Sequence, residues 1–254
     1  MEFGDRSGVA APSKAATASA GTRHARVTTQ SEMFTAPLVI AATGGFGNPH
    51  RPALSGLGDF PGTLLHAAQY RTYEPFQGQR VIVVGAGNSA VQIAAELTDH
   101  AHVTLATRKP VKFSAQRPFD RDLHFWLYRT RLDYLPIGPW LPDGFTTPAL
   151  DTGVYRAATA QHRPDRRPMF TAVESSKVIW PDEQREHVDA IILATGYRPD
   201  FPYLGKLSGE HNRGLSRHHR GLGFVGLEWQ RSLSSATLRG VGRDAAHVVR
   251  RLLR

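Results

Sequence analysis

A chain of 254 residues with 41% hydrophobic content can build one large domain or two small ones, and its composition is that of a folded protein rather than a disordered one. The formal net charge of +9 is carried mostly by arginine, 26 of the 31 basic residues, spread along the whole chain rather than gathered in one stripe, which argues against a nucleic-acid-binding function. Zero cysteines exclude dithiol chemistry, a cysteine nucleophile and a thiolate metal site, while the lack of any 18-residue apolar run excludes a membrane-spanning helix.

Residues 1–22 are small, polar and without period, and are expected to be disordered. The opening stretch also lacks the apolar core of a signal peptide, so a cytoplasmic location is expected. His24 to Phe34 has the pattern of a hairpin. The run from Pro37 to Gly44 (PLVIAATG) predicts a buried strand ending in a glycine turn, followed by a connector from Gly45 to Gly62 that holds Pro49, Pro52 and Pro61.

The most informative segment follows. Val81-Ile82-Val83-Val84 is a continuous β-branched run, as expected of a parallel strand buried on both faces. Gly85-Ala86-Gly87-Asn88-Ser89-Ala90 then spells G-x-G-x-x-A. The first glycine allows a tight turn, the second lets the backbone approach a pyrophosphate, and the small Ala90 lets the next helix pack closely on the strand. From Ser89 the spacing of Val91, Ile93, Ala94, Ala95 and Leu97 predicts a helix whose N-terminus points free N–H groups at phosphate. A second strand, His102 to Thr107, ends in Arg108. A carboxylate at that place would bind a ribose 2′-hydroxyl, whereas arginine suits a 2′-phosphate, so NADP is expected over NAD. The alternative for Arg108 is a solvated strand end in an arginine-rich chain.

Residues 113–150 are rich in aromatics and arginine. Leu123, Trp126 and Leu127 can share one helix face, with Arg121, Arg129 and Arg131 near it. Three readings stay open: a lid over a substrate cavity, a membrane-surface helix, and an inserted helix packed on its domain, the last being preferred. A further buried strand is predicted at Val188 to Gly196, a short one at Gly223 to Leu227, and a terminal helix from Ser235 to Leu253, interrupted near Gly240 and Gly242. Strands ending in Ala-Thr-Gly thus recur at 42–44 and 194–196. The spacing of His124, His162, His211, His218 and His219 fits no metal-binding pattern, so no metal site is expected. No Ser-His-Asp or paired-carboxylate arrangement singles out a catalytic residue.

In this order the pieces resemble the flavin-containing monooxygenases, class B flavoprotein monooxygenases, and in particular their bacterial flavoprotein branch linked by name to cation efflux. The segment Leu38–Gly44 with Pro49 and Pro52 is similar to the family's A-T-G-x-x-x-x-P-x-x-P stretch. Phe60, Gly62, His66 and Tyr70 fit the family motif F-x-G-x-x-x-H-x-x-x-[F/Y]. The loop at 85–90, Arg108, the second A-T-G with Tyr197-Arg198-Pro199, and GLGFVGLEWQRSLSSATLRGVG follow. Ala67 and Ala90 depart from the family, where Ser or Thr and Gly are common.

The resemblance implies an α/β fold: a Rossmann-like, doubly wound NADP-binding domain inserted in the remnant of a two-dinucleotide-binding-domain flavoprotein's FAD domain. The expected division is 1–22 disordered, 23–78 partial FAD-binding domain, 79–196 NADP-binding domain, and 197–254 the return to the FAD domain. The implied cofactors are NADP, at Gly85, Gly87, Asn88, Ser89, Ala90 and Arg108, and FAD, touched at Thr43, Gly44, Thr195, Gly196 and the 223–242 tail. His66 is implied to link domains rather than transfer protons. The implied activity is NADPH- and FAD-dependent monooxygenation through a C4a-hydroperoxyflavin. Its partners are dioxygen and a small-molecule substrate, either a soft nucleophile such as an amine or sulfide, or a ketone. Residues 1–37 hold no G-x-G-x-x-G after an apolar strand, so the FAD phosphate site is expected to be incomplete and the chain truncated. A non-catalytic NADP-binding remnant is therefore the alternative, with a homo-oligomer or a separate N-terminal half as the possible partner chain.

Overall fold

The computed structural model describes residues 17–20, 25–28, 32–142, 145–199, 201–207 and 210–254. In chain order the strands and helices are β1 (Thr17–Ala20), β2 (Ala25–Thr28), β3 (Met33–Ala36), β4 (Val39–Ala41), β5 (Thr63–His66), β6 (Arg80–Val84), α1 (Asn88–Leu97), β7 (His102–Thr107), β8 (Phe113–Ala115) and α2 (Leu123–Thr130). There follow β9 (Ala149–Asp151), α3 (Val154–Ala160), β10 (Asp165–Pro168), β11 (Ala172–Glu174), β12 (Lys177–Ile179), β13 (Arg185–His187), β14 (Ala190–Leu193), β15 (His211–Asn212), β16 (Leu215–Ser216), β17 (Leu222–Phe224) and α4 (Leu238–Leu252). They divide into two compact units: residues 48–132 with 142–198, and residues 1–47 with 133–141 and 199–254.

The first of these units is built on a five-stranded parallel sheet of order β10-β7-β6-β14-β5. The β-branched run at 81–84 sits at its centre because both faces are covered. Ile82 and Val84 point into one cluster with Ile191, Leu193, Phe170 and Trp180. Val81 and Val83 point the other way, toward Ile93, Ala94 and Leu97 of α1. Each such side chain contributes roughly 1.5–3 kcal/mol on burial, which explains why the run alternates faces without alternating polarity.

The far side of the first cluster is closed by an antiparallel sheet, β11-β12-β13. Glu186 ties it to the central strand. Its carboxylate accepts from Arg80 Nε, from Trp180 Nε1 at 2.8 Å and from Arg167, whose guanidinium also lies 4.2 Å from the Trp180 ring centre. Burial pushes the Glu186 carboxyl up, but the hydrogen bond and charge of Arg80, helped by Trp180 and Arg167, outweigh it and hold the group below its ordinary 4.5. A depressed carboxylate stabilises the fold above its unfolded value, and that stabilisation is lost as pH falls through the folded value. Glu186→Gln should therefore destabilise by about 1–2 kcal/mol at neutral pH. The gap in thermal midpoint from the parent should narrow as pH falls below the ordinary 4.5 and through the lowered folded value; a gap that is constant with pH would show that charge is not involved.

The other unit has two sheets. The meander β1-β2-β3 is antiparallel throughout. Thr17–Ala20 is thus ordered, against the expectation of disorder over 1–22, because backbone pairing with β2 supplies partners that small polar residues cannot find locally; the rest of that stretch lies outside the described residues. The second sheet has the order β15-β16-β17-β4, with β17 and β4 parallel. Only Val39–Ala41 of the predicted 37–44 strand pairs, since Pro37 has no N–H to donate. Helix α4 packs on β17 at Gly223, where a Cβ would lie 2.5 Å from Val248. The predicted interruption of this helix does not occur: it runs unbroken from Leu238 past both glycines. Gly240 serves close packing instead, since a Cβ there would sit 2.1 Å from the Ser234 carbonyl.

The division differs from the one the sequence predicts. Residues 48–78 join the unit of the central sheet rather than the partial FAD-binding domain placed at 23–78, because β5 pairs in register with β14. Residues 133–141 leave the stretch assigned to 79–196. Asp133, almost fully buried, pairs with Arg239, its carbonyl accepts from Ser234, and Gly138 N–H donates to the Arg231 carbonyl at 2.9 Å.

Candidate functional site: the glycine turn and its rim

The turn after β6 has the geometry that its three small residues predict. Gly85 has φ +144°, and a Cβ there would lie 2.3 Å from the Ala194 carbonyl oxygen and 3.1 Å from the Ala90 Cβ. Glycine is demanded at 85 by the protein itself. Gly87 is the opposite case. It sits in extended backbone with φ −91°, is exposed, and a Cβ there would meet nothing within 4 Å. Nothing in the fold requires glycine at 87, and the bare backbone there leaves room for a ligand to approach the start of α1. Helix α1 starts at the next residue, with Ala90 fully buried against the sheet and Ser89 exposed at the first turn. Asn88 is engaged elsewhere: its Oδ1 accepts from Leu150 N–H at 2.8 Å, joining the turn to β9.

Arg108 stands one residue beyond β7, exposed, and forms no ion pair among the described residues. A second G-x-G-x-x-G string, Gly221 to Gly226, shows why spelling alone is insufficient. It spans β17, and a Cβ would sit 2.4 Å from the Pro37 carbonyl at Gly221 and 2.5 Å from Val248 at Gly223, so its first two glycines answer to strand packing rather than to phosphate.

The F-x-G-x-x-x-H-x-x-x-Y residues shape the β5 edge of the same sheet. The Phe60 ring fills the space where a Gly62 Cβ would lie, which lets Thr63 N–H reach the Asp189 carbonyl at 3.0 Å. Tyr70 stacks on Phe76, and burial together with the Glu96 carboxylate pushes its phenol well up. His66 is buried. Its Nδ1 accepts from Ala68 N–H at 3.1 Å, so the proton sits on Nε2, which donates to the Gly196 carbonyl at 3.0 Å. Burial lowers this imidazole below its ordinary range, and Arg51 and His50 add to that, against the opposing Gly196 bond. Both nitrogens are committed, which suits a structural tie within this unit better than proton transfer.

Around Gly196 the chain is zipped to residues 48–50. His50 N–H donates to the Gly196 carbonyl at 2.9 Å, Thr195 Oγ1 donates to the His50 carbonyl, and Arg198 N–H donates to the Asn48 carbonyl at 3.0 Å. The Thr195 hydroxyl is thereby used, while Gly196, at φ +76°, leaves open space on its Cβ side. In the other unit Gly44, with φ +66°, ends β4 beside Gly226, and Thr43 Oγ1 bonds the Tyr203 hydroxyl at 3.0 Å. His50 and Arg51, absent from the predicted set, are recognisable in sequence only by lying between two prolines that turn toward the second Ala-Thr-Gly.

In α2, Leu123, Trp126 and Leu127 form the half-buried stripe expected, and Asp122 caps the helix by accepting from His124 N–H at 2.8 Å. None of its residues is fully buried, and Phe125 and Tyr128 face outward, so the preferred picture of a helix packed down on its domain is met on one face only. No helix of the described residues is long and apolar enough to cross a membrane.

Comparison with known proteins agrees with this geometry. The family profile described as "Pyridine nucleotide-disulphide oxidoreductase" matches residues 9–132. The "Uncharacterized oxidoreductase CzcO" of Bacillus velezensis is 31% identical over 237 residues, covering 89% of this chain and 67% of that protein. Among solved structures, the flavin-containing monooxygenase from Stenotrophomonas maltophilia superposes with a TM-score of 0.75 at 28% identity, over 93% of this chain and 68% of that one. Bacillithiol disulfide reductase Bdr from Staphylococcus aureus shares the fold, with a TM-score of 0.62 at 15% identity, over 93% of this chain and 70% of that one. These 254 residues contain no cysteine, so they cannot form a dithiol relay of the kind the profile's description suggests. A mixed α/β chain with a central parallel sheet, a glycine turn that leaves its second glycine open, and relatives of this kind belongs to the flavin monooxygenase-like oxidoreductases.

Proposed function

We propose that the chain binds NADPH on the 85–90 turn and serves an NADPH- and FAD-dependent monooxygenation of a soft nucleophile, such as an amine or a sulfide, or of a ketone. The observation that supports the reading is Gly87, which stands between a buried parallel strand and the start of α1 with open space on its Cβ side, so that a ligand can lie close against its backbone. The N–H groups at the start of α1 and its dipole would hold the pyrophosphate, and Arg108 the ribose 2′-phosphate. Thr43 and Gly44 are the proposed flavin positions of one unit, Thr195 and Gly196 the proposed cofactor positions of the other. Since three of the hydroxyl and carbonyl groups there already have partners in the chain, these contacts fall mainly to backbone N–H groups and open glycine faces. When bound, the flavin supplies the oxygen-activating redox chemistry, and the chain supplies position and exclusion of water.

A second reading, dinucleotide binding without catalysis, is supported by a specific observation. Among the described residues the 85–90 turn is the one place where a strand of the five-stranded parallel sheet passes through paired glycines directly into a helix.

Titration of NADPH and NADH against the parent and Arg108→Ala tests the nucleotide. A charge-assisted hydrogen bond is worth about 1.5–3 kcal/mol. The parent should therefore prefer NADPH by roughly ten- to a hundredfold, and the variant should lose most of that preference. A parent that prefers NADH, or a variant that keeps the preference, would remove Arg108 from this role. Oxygen uptake dependent on NADPH, added FAD and an amine or sulfide separates the monooxygenase from the binding-only reading.

A further inference from the structure

Three arginines, Arg51, Arg108 and Arg198, gather with His50 on the rim of the glycine turn, and none of the three forms an ion pair among the described residues. The sheet explains why they meet. Strands β7, β6 and β14 are parallel neighbours, with Val84 in register with both Ala106 and Leu193, so all three end at one edge. The turn at 85–87 follows the middle strand. Arg108 follows β7 on one side of it and Gly196-Tyr197-Arg198 follows β14 on the other, two strand spacings or about 10 Å across.

Arg198 is exposed but held. Its backbone N–H is fixed on Asn48, Tyr197 bridges Pro49, and its Nη2 donates to His50 Nε2 at 3.2 Å. A guanidinium can only donate, so His50 Nε2 is the unprotonated nitrogen of a neutral ring. The surroundings keep it neutral: burial lowers the His50 imidazole below its ordinary range, and the charges of Arg198 and Arg108 lower it further. Arg51 lies alongside, donating to Gln69 Oε1 at 2.8 Å, and its charge reaches His66. Among the described residues no ion pair involves Arg51, Arg108 or Arg198, and no carboxylate acts on His50 or His66. Like charges held together by backbone pairing cost free energy, and a bound anion relieves that cost.

We propose that Arg198, aimed by the neutral His50 ring, grips the pyrophosphate of the dinucleotide lying over the Gly85–Gly87 turn. This rests on the reading of that turn as a dinucleotide site and divides the labour within it. Arg108, on the β7 side, meets the 2′-phosphate that only NADP carries. Arg198, on the β14 side, meets the pyrophosphate that NADP and NAD share. Arg198 is a binding residue for either nucleotide, and His50 is a positioning residue that acts through it.

The division predicts a pattern no general loss of structure would reproduce. Dissociation constants for NADPH and NADH are measured by fluorescence titration on the 254-residue chain and on Arg198→Ala, Arg198→Lys, His50→Leu and His50→Gln, with circular dichroism on each sample. Arg198→Ala should weaken both nucleotides by the same factor, about tenfold or more. Arg198→Lys should recover part of the loss, since it keeps the charge without the planar fork. His50→Leu should weaken both nucleotides by a smaller factor, and His50→Gln, whose amide oxygen accepts from the guanidinium, should restore them. Unchanged affinities in Arg198→Ala, or loss of NADPH alone, overturns the proposal while the dinucleotide site stands. A folded parent that binds neither nucleotide overturns the site and the proposal together.

Discussion

Gly87→Val is expected to remove nucleotide binding and to leave the fold intact, whereas Gly85→Ala is expected to damage the fold first. The two glycines stand in one motif two residues apart, and the structure assigns them different reasons. At 87 the backbone is extended, a conformation valine adopts readily, and a Cβ meets nothing within 4 Å. The isopropyl group would instead occupy the space over the N-terminus of α1 that a pyrophosphate needs. Losing two hydrogen bonds to a charged group, each worth about 1.5–3 kcal/mol, weakens binding roughly a hundredfold or more. At 85 a methyl group must accept φ +144° and a carbonyl oxygen 2.3 Å away. The backbone strain alone is about 1–3 kcal/mol, before the clash with Ala194 is relieved by moving the end of β14. Thermal midpoints and NADPH titrations on both variants decide the matter. A Gly87→Val chain that binds NADPH like the parent would end the case for the turn as a phosphate site; a Gly85→Ala chain as stable as the parent would show that the turn relaxes more easily than its contacts imply.

What the sequence made legible follows from how local each signal is. The unit from β6 through α1 to β7 could be read because a β-branched run, two glycines and a helical spacing fall within 30 residues, and each has one physical cause. The same sequence says nothing of β5 joining that sheet. Thr63-Leu64-Leu65-His66 is a short edge strand whose partner, β14, lies more than a hundred residues further on. The detour of 133–141 is equally silent, since Asp133 owes its burial to Arg239 and Ser234, about a hundred positions away. Gly240 and Gly242 misled because glycine weakens an isolated helix. At Gly240 that penalty is outweighed by an approach to the Ser234 carbonyl that no larger residue permits. The rim residues were half visible. Arg198 stood in the second Ala-Thr-Gly segment, but its setting depends on His50, 148 residues earlier. Site chemistry set by one loop can be read from sequence, and site chemistry set by pairing between distant loops cannot.

The 254-residue chain is expected to hold FAD at well below one per chain when purified alone, and to turn over no substrate without added flavin. Stoichiometric retention of a dinucleotide depends on its diphosphate, which is ordinarily anchored by several backbone N–H groups and a helix dipole. Among the described residues the strand–glycine turn–helix at 80–97 offers one such anchor, and Arg108 beside it suits NADPH. The other G-x-G-x-x-G string is spent on β17. Gly44 and Gly226 offer open backbone just beyond β4 and β17, and α4 has its N-terminus near that edge, but one of its N-terminal N–H groups, that of Gly240, is already capped by the Thr237 hydroxyl. Such contacts can touch parts of a flavin; they do not replace a diphosphate cradle. Lacking even two charge-assisted hydrogen bonds, at about 1.5–3 kcal/mol each, raises a dissociation constant roughly a hundredfold or more. Flavin absorbance of the freshly purified chain, set against its protein concentration, measures retention, and titration with free FAD measures affinity. A yellow protein with one flavin per chain that consumes NADPH in the presence of an amine or a sulfide would overturn the expectation. A phosphate site would then have to be sought outside 85–90, first by asking whether Gly87→Val, which blocks that turn, leaves the flavin in place.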